Sequence, residues 1–367
     1  MAGLKALTGG DVSFAGIGGE AMRAEGLASL FPMAELSVMG LVEVLPRIPN
    51  ILRRVNQTVA EIKARRPAAV VTIDSWGFTG RVQKALKRAC PEIPRIHYVA
   101  PMVWAWKPDR TAKLAAVLDL LMTLLPFEPP WFLKDGLATV HVGHPVVEAG
   151  ERGDGPGFRA RHGIAESAPV LLMLPGSRHS ETSRLLPVFA EAAARLVARQ
   201  PGLTVVVPTV ETVAAEVRAA VAKWKLPVVV AEGRGERRDA FAASTVALAA
   251  SGTVALELAL AGVPTVITYR VSPLSAFVAT RFLGLKFKFV TLVNMVMDAP
   301  VMPELLQDDC RPERLAAEVG RLLEDPAARA AQQAAAAEAM ERLGRGGPSP
   351  SRRAAAAVLD LIATRQR

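Results

Sequence analysis

Short apolar runs alternate with stretches of helical period along most of the chain. The runs VSFAGI (12–17), AAVVTI (68–73), RIHYVA (95–100), LLMTLL (120–125) and ATVHVG (138–143) predict one series of strands. A second series is predicted at VLLML (170–174), LTVVVP (203–208), VVVAE (228–232), VALAA (246–250) and PTVITY (264–269). Residues 47–66 read as an amphipathic helix: Ile48, Ile51, Leu52, Val55, Val59 and Ile62 share one face, and Pro67 ends it. Strands apolar on both faces, alternating with helices, are the pattern of parallel sheets covered on both sides. The stretch 148–163, rich in glycine and charge, reads as a linker between domains at 1–147 and 164–340. After a break at Gly346-Gly347-Pro348, the tail 341–367 holds a last helix, either solvated or crossing back onto the first domain. The expected architecture is α/β: two doubly wound, Rossmann-like domains with a ligand cleft between them, at the C-terminal ends of the strands.

Composition narrows the class of partner. Hydrophobic residues make up 51% and charged ones 22%, which excludes wholesale disorder. A net charge of +9 favours anionic partners: phosphate-bearing substrates, nucleic acid or an anionic membrane face. No array of aromatic and basic residues argues for nucleic acid. Cys90 and Cys310 are too far apart in sequence to suggest a metal knot or disulfide framework, which fits a reducing cytoplasm. No signal-peptide pattern is visible at the start. The segment 246–269 has Glu257 as its only charge, but Gly252, Gly262 and Pro264 break it, so it reads as strand, helix and strand in a core.

Three places carry candidate chemistry. In LLMLPGSRHSE (171–181) an apolar strand runs into Gly176, Ser177 and Arg178. A strand followed by such a turn and a helix aims free N–H groups and a helix dipole at one point, an anion site to which Arg178 adds a fork of donors. The same residues also read as a plain helix start, with Ser177 as N-cap. A second turn, Ser251, Gly252 and Thr253, opens a short apolar helix bearing Glu257 one turn on. A carboxylate there needs a partner, either a ribose diol or a backbone group. Asp74, at the end of the strand in VVTIDSWGF, is a candidate general base or a helix cap. His97, His141, His144 and His162 are scattered and read as structural, and no metal-ligand spacing is present. Gly16, Gly18 and Gly19 lack the third glycine of a dinucleotide fingerprint, which argues against a dehydrogenase.

Taken together, GIGGEAMRAEG (16–26), LSVMGLVEVL (36–45), IHYVAPMVWAWKPDR (96–110), LPFE (125–128), LPGSRHSE (174–181), ASGTVALE (250–257) and PELLQDDCRPE (303–313) resemble the lipid-A-disaccharide synthase family. The resemblance implies a metal-independent, cofactor-free glycosyltransferase of GT-B type. It would move 2,3-diacylglucosamine from its UDP derivative to 2,3-diacylglucosamine 1-phosphate, giving a β-1,6 disaccharide and UDP. By the same resemblance Asp74 is the base. Arg178 with Gly176 and Ser177 holds the diphosphate, Ser251, Gly252 and Thr253 add donors, and Glu257 takes the ribose. Asn294 and Gln307 match further donor-side positions. Family members carry a strand and a Gly-Glu-Ala-Ser-Gly-Asp turn ahead of the helix where this chain starts, which puts the activity of this shorter chain in question.

Acyl substrates imply a lipid-facing surface. Leu41, Val42, Val44 and Leu45 precede a helix carrying Arg47, Arg53 and Arg54, a pairing suited to an anionic leaflet, although the same aliphatics would also serve a core. Trp104 and Trp106 beside Lys107 and Arg110 suit the membrane side and the acceptor phosphate. The expected location is the cytoplasm, peripheral on the inner face of the cytoplasmic membrane, and a homodimer is compatible with it. Rival readings are a related UDP-N-acetylglucosamine enzyme, a 2-epimerase or peptidoglycan transferase, and an inactive membrane-peripheral binding protein.

Overall fold

The computed structural model describes residues 1–36, 47–106, 110–148, 153–271 and 288–366. The chain divides into two units, one of Met1–Pro145 with Leu343–Arg367 and one of Val146–Arg342.

The first unit is built on a parallel sheet in the order β1 (Val70–Ile73), β2 (Arg95–Tyr98), β3 (Leu120–Thr123), β4 (Thr139–His141). Its described helices within Met1–Pro145 are α1 (Ala2–Thr8), α2 (Glu20–Ala24), α3 (Ile48–Arg65), α4 (Trp76–Ala89), α5 (Val103–Trp106), α6 (Thr111–Ala115) and α7 (Pro129–Leu133). Helix α3 follows the predicted period and ends at Arg66, in the left-handed region at φ 47, just before Pro67. It packs on α4 around Phe31, Val55, Phe78, Val82 and Leu86. Leu86 is fully buried, so truncating it to alanine costs about 2–5 kcal/mol.

The strand expected at 12–17 does not form. Only a single bridge, Gly16 to Ser29, occurs there, and among the described residues β1 is an edge strand. The run is anchored locally instead: Leu30 N–H donates to Gly16 O at 2.8 Å and Gly18 N–H to Ser29 Oγ at 3.2 Å. High β-propensity without a neighbouring ladder leaves extended chain, not a strand.

The second unit carries a parallel sheet in the order β10 (Glu304–Leu306), β9 (Thr265–Tyr269), β8 (Val246–Ala250), β5 (Val170–Leu174), β6 (Thr204–Thr209), β7 (Val228–Glu232). Its described helices are α8 (Gly155–Arg161), α9 (His179–Arg199), α10 (Ala214–Val221), α11 (Arg234–Ala243), α12 (Val254–Ala261), α13 (Leu292–Met297), α14 (Pro312–Glu324) and α15 (Pro326–Arg342). Every residue of β5 and β8 is buried, which is why both read as unbroken apolar runs. From β5 the chain winds outward through β6 and β7, then returns to β8 on the other side and continues to β9 and β10. Winding therefore reverses between β5 and β8, and such a switch point leaves a crevice at the strand C-termini. Residues 246–269 form β8, α12 and β9, and no helix of the described residues is long and apolar enough to cross a membrane.

The proposed linker at 148–163 is corrected in its second half. Gly155–Arg161 is a helix, with the Asp154 side chain accepting from Gly157 N–H at 2.9 Å as N-cap. It lies against α11, and a Cβ on Gly155 would approach Ala242 O to 2.6 Å. Gly155 serves close helix contact, which composition alone does not distinguish from flexibility.

Helix α16 (Pro350–Gln366) belongs to the first unit. Arg353 Nε donates to Val142 O at 2.7 Å. Arg365 meets Asp119 at 2.6 Å, and Asp119 also pairs with the buried Arg95 at 3.0 Å.

Candidate functional site

In the second unit, β5 ends at Leu174 and Pro175-Gly176-Ser177 turns the chain into α9. The N-cap of α9 is Arg178, in extended conformation, not Ser177. Gly176 has φ +116, and a Cβ there would lie 2.5 Å from Glu181 Oε2, so the turn requires glycine. That contact exists because Glu181, 7% exposed, folds back under the turn. Its Oε2 accepts Ser177 N–H at 2.9 Å and its Oε1 accepts Arg178 Nη1 at 2.9 Å and Tyr269 O–H at 3.4 Å. The Tyr269 phenol is raised by burial and by the charge of Glu181. The Arg178 side chain is 61% exposed, so most of its fork faces solvent.

Register pairs Leu174 with Ala249, which sets the turn after β8 beside the turn after β5. Ser251 N–H is spent on Thr268 O at 2.8 Å, a ladder bond, so this predicted donor is already used. Gly252 and Thr253 are exposed at the start of α12. Glu257 has an ion-pair partner in Arg237 of α11, whose guanidinium also lies 5.5 Å from the centre of the Phe241 ring. Gln307 follows β10 in left-handed conformation at φ 49, and its Oε1 accepts Val271 N–H at 3.3 Å. Asn294 is fully buried. Its amide donates to Met302 O at 2.8 Å and Glu304 Oε1 at 2.9 Å, and its carbonyl accepts Met302 N–H at 2.8 Å. It therefore braces the entry to β10 from within.

In the first unit, Asp74 is exposed just past β1, and both it (φ 48) and Ser75 (φ 46) are left-handed. Thr79 Oγ1 spans the turn, 2.7 Å from Asp74 O and 3.1 Å from Ser75 O. Two strained non-glycine residues in succession, held by a side chain, are usual at functional sites. Beneath lies a buried polar cluster. Thr72 Oγ1 is 2.8 Å from His97 Nδ1 and accepts Gln83 Nε2–H at 2.8 Å. Burial pushes His97 down to about 4, against the attraction of Asp74, so the ring is neutral at pH 7. Its Nε2 and Gln83 Oε1 have no partner among the described residues. A groove of about 180 Å³ opens next to Ser75, with Leu36, Ile48, Ile51, Leu52 and Phe78 in its walls.

The acceptor-side candidates are only partly placed. Trp104 is half-buried, with its ring edge-on to Phe127 and its Nε1–H 3.3 Å from Glu128 Oε1. It is packed into its own unit. Arg110 is half-buried at the N-cap of α6. Leu41, Val42, Val44, Leu45 and Lys107, and the Trp106 side chain, lie outside the described residues. Arg54 is turned inward onto Glu35 at 2.6 Å and over the Phe31 ring.

Glu181, Arg237, His97 and Glu128, which touch or lie near the candidate residues, carry no mark of that role in the sequence pattern. Burial raises Glu128 to about 7 although Leu125 N–H, at 3.0 Å, and Trp104 donate to it. The available signal was a carboxylate inside the LPGSRHSE and LPFE stretches, each of which reads locally as an ordinary helix-start acid.

Two parallel α/β units, the second wound outward from a central switch point with paired turns, define a fold of GT-B type. UDP-GlcNAc 2-epimerase from Neisseria meningitidis, solved bound to UDP-GlcNAc, shares that fold: TM-score 0.55 at 11% identity, covering 94% of this chain and 87% of that one. The model of the lipid-A-disaccharide synthetase family matches residues 4–358, and the chain belongs to that family. The lipid-A-disaccharide synthase of Paramagnetospirillum magneticum is 67% identical over 99% of this chain and 93% of its own length. That of Rhodospirillum centenum is 53% identical over 100% of this chain and 91% of its own.

Proposed function

We propose that the chain transfers 2,3-diacylglucosamine from its UDP derivative to 2,3-diacylglucosamine 1-phosphate, forming the β-1,6 disaccharide precursor of lipid A. Family membership supports the reaction. The observation that carries the donor site is the pair of turns at the switch point, with an exposed Arg178 on one and Glu257 on the helix of the other.

The diphosphate lies at Gly176, Ser177 and Arg178, next to the exposed Gly252–Thr253 turn, and the guanidinium stabilises charge on departing UDP. Glu257 takes the ribose hydroxyls, and Gln307 shapes the donor edge. Asp74 takes the proton of the acceptor 6-hydroxyl as that oxygen attacks the anomeric carbon. The bond to UDP breaks with its electron pair on the phosphate oxygen, and configuration inverts. The apolar groove beside Ser75 suits a stretch of acyl chain. Exposed Met33, Ile48 and Leu52, with Arg47 and Arg53 on the same stretch, suit peripheral contact with the inner, anionic face of the cytoplasmic membrane.

The test incubates purified protein with the UDP donor and radiolabelled acceptor in detergent with EDTA. The expected product is one labelled disaccharide, and an acceptor lacking its 6-hydroxyl yields none. Release of UDP without disaccharide, or epimerised donor, contradicts the reading.

A further inference from the structure

Glu181 holds the donors that the diphosphate would need. Its two carboxylate oxygens accept the Ser177 backbone N–H and the Arg178 guanidinium, each at 2.9 Å, from a side chain only 9% exposed. Glycine at 176 is what lets the carboxylate come this close to the turn. We propose that Glu181 is an internal stand-in for the nucleotide's diphosphate: it keeps the turn folded and Arg178 placed while the site is empty, and cedes both donors when UDP or its sugar binds. The proposal rests on the reading of this turn as the diphosphate site.

Three consequences follow from the charges. A carboxylate and a diphosphate compete for one N–H and one guanidinium, and they repel each other while both are near. Binding then carries a charge-repulsion cost that uridine, which has no phosphate, does not meet. UDP, the product, is also displaced more readily, because its donors have a second acceptor within the same helix turn. Tyr269, which donates to Glu181 from β9, gives the displaced carboxylate a remaining hydrogen bond.

The charge is separable from the shape. Glu181→Gln keeps an oxygen for Ser177 N–H but removes the repulsion, and Glu181→Ala removes both. Glu181→Gln is expected to bind UDP more tightly, by about tenfold for one removed like charge near the ligand at the effective dielectric of a protein surface, and Glu181→Ala by less, because its empty turn also loses the brace. Uridine affinity should stay at the wild-type level. Glu181→Asp, which keeps the charge, should show no gain.

The experiment is equilibrium binding of UDP and of uridine to the wild type, these three variants and Arg178→Ala. The expected pattern is tighter UDP for Gln and Ala at unchanged uridine affinity, with Arg178→Ala weakening UDP alone. If Arg178→Ala weakens UDP while Gln and Ala leave it unchanged or weaken it too, Glu181 merely orients Arg178 and the stand-in is overturned. If Arg178→Ala leaves the preference for UDP over uridine intact, the diphosphate binds elsewhere, and both this proposal and the site reading fall. Uridine binding shows which variants are folded, and the two neutral variants test the same prediction through different side chains.

Discussion

His97 and Glu128 lie buried in the first unit, and each has its ionised form disfavoured by loss of water. Their effects on stability have opposite signs. Below the ordinary value of 6.5 an unfolded histidine takes up a proton that folded His97 refuses until about 4, so His97 withdraws stability as pH falls through that window. Folded Glu128 keeps its proton up to about 7, whereas the unfolded side chain loses it near 4.5, so stability falls as pH rises through that window. Each amounts to about 3 kcal/mol, and between pH 4.5 and 6.5 the two slopes oppose. His141 and His144, lowered by burial too, add to the His97 side. Glu128→Gln should therefore become steadily more stable from pH 4.5 to 6.5, and His97→Gln should show a weaker rise or a fall. Urea unfolding followed by tryptophan fluorescence reports this, since Trp76, Trp104, Trp106 and Trp131 all belong to the first unit. Identical slopes in the wild type and both variants would contradict the assignment. At this scale the sequence made Arg178, Glu257 and Asp74 legible, because each breaks an apolar run at a strand end or in a helix. Glu181 and Arg237 were hidden, since their roles come from side chains folding back through space, which periodicity does not record.

Among elements, the strands were legible wherever burial on both faces made a run apolar, and nine of the ten predicted runs became strands. The failure at 12–17 and the unpredicted three-residue β10 share a cause: whether a short run becomes a strand depends on a neighbour to pair with, not on its own composition. The last helix shows the same dependence. Ala-rich and weakly amphipathic, α16 docks through Arg353, Arg365 and a close approach to α1, where a Cβ on Gly3 would stand 2.4 Å from Ser351 O. Gly3→Val is expected to loosen α16, at about 1–3 kcal/mol for overpacking. Limited trypsin digestion checks it: cleavage at Arg352 and Arg353 should speed up several-fold, and an unchanged pattern would show that α1 does not hold the helix.

For the molecule as a whole, the surplus of basic residues and the acylated substrates of the proposed reaction would favour binding to an anionic membrane face. Vesicles containing anionic phospholipid should sediment the protein at low ionic strength and release it as salt rises, while purely zwitterionic vesicles should bind it weakly. Binding indifferent to both salt and headgroup charge would remove the electrostatic part of this proposal.

The most direct measurement is transfer itself, comparing the wild type with Arg178→Ala at saturating donor, radiolabelled acceptor and EDTA. One UDP should be released per labelled disaccharide from the wild type, and the rate should be lower by about 10²–10³ in the variant, as expected when a charge-stabilising donor at the departing group is lost. A variant that turns over at the wild-type rate, or a wild type that makes no disaccharide, would contradict the assignment of the β5 turn as the diphosphate site of a glycosyltransferase.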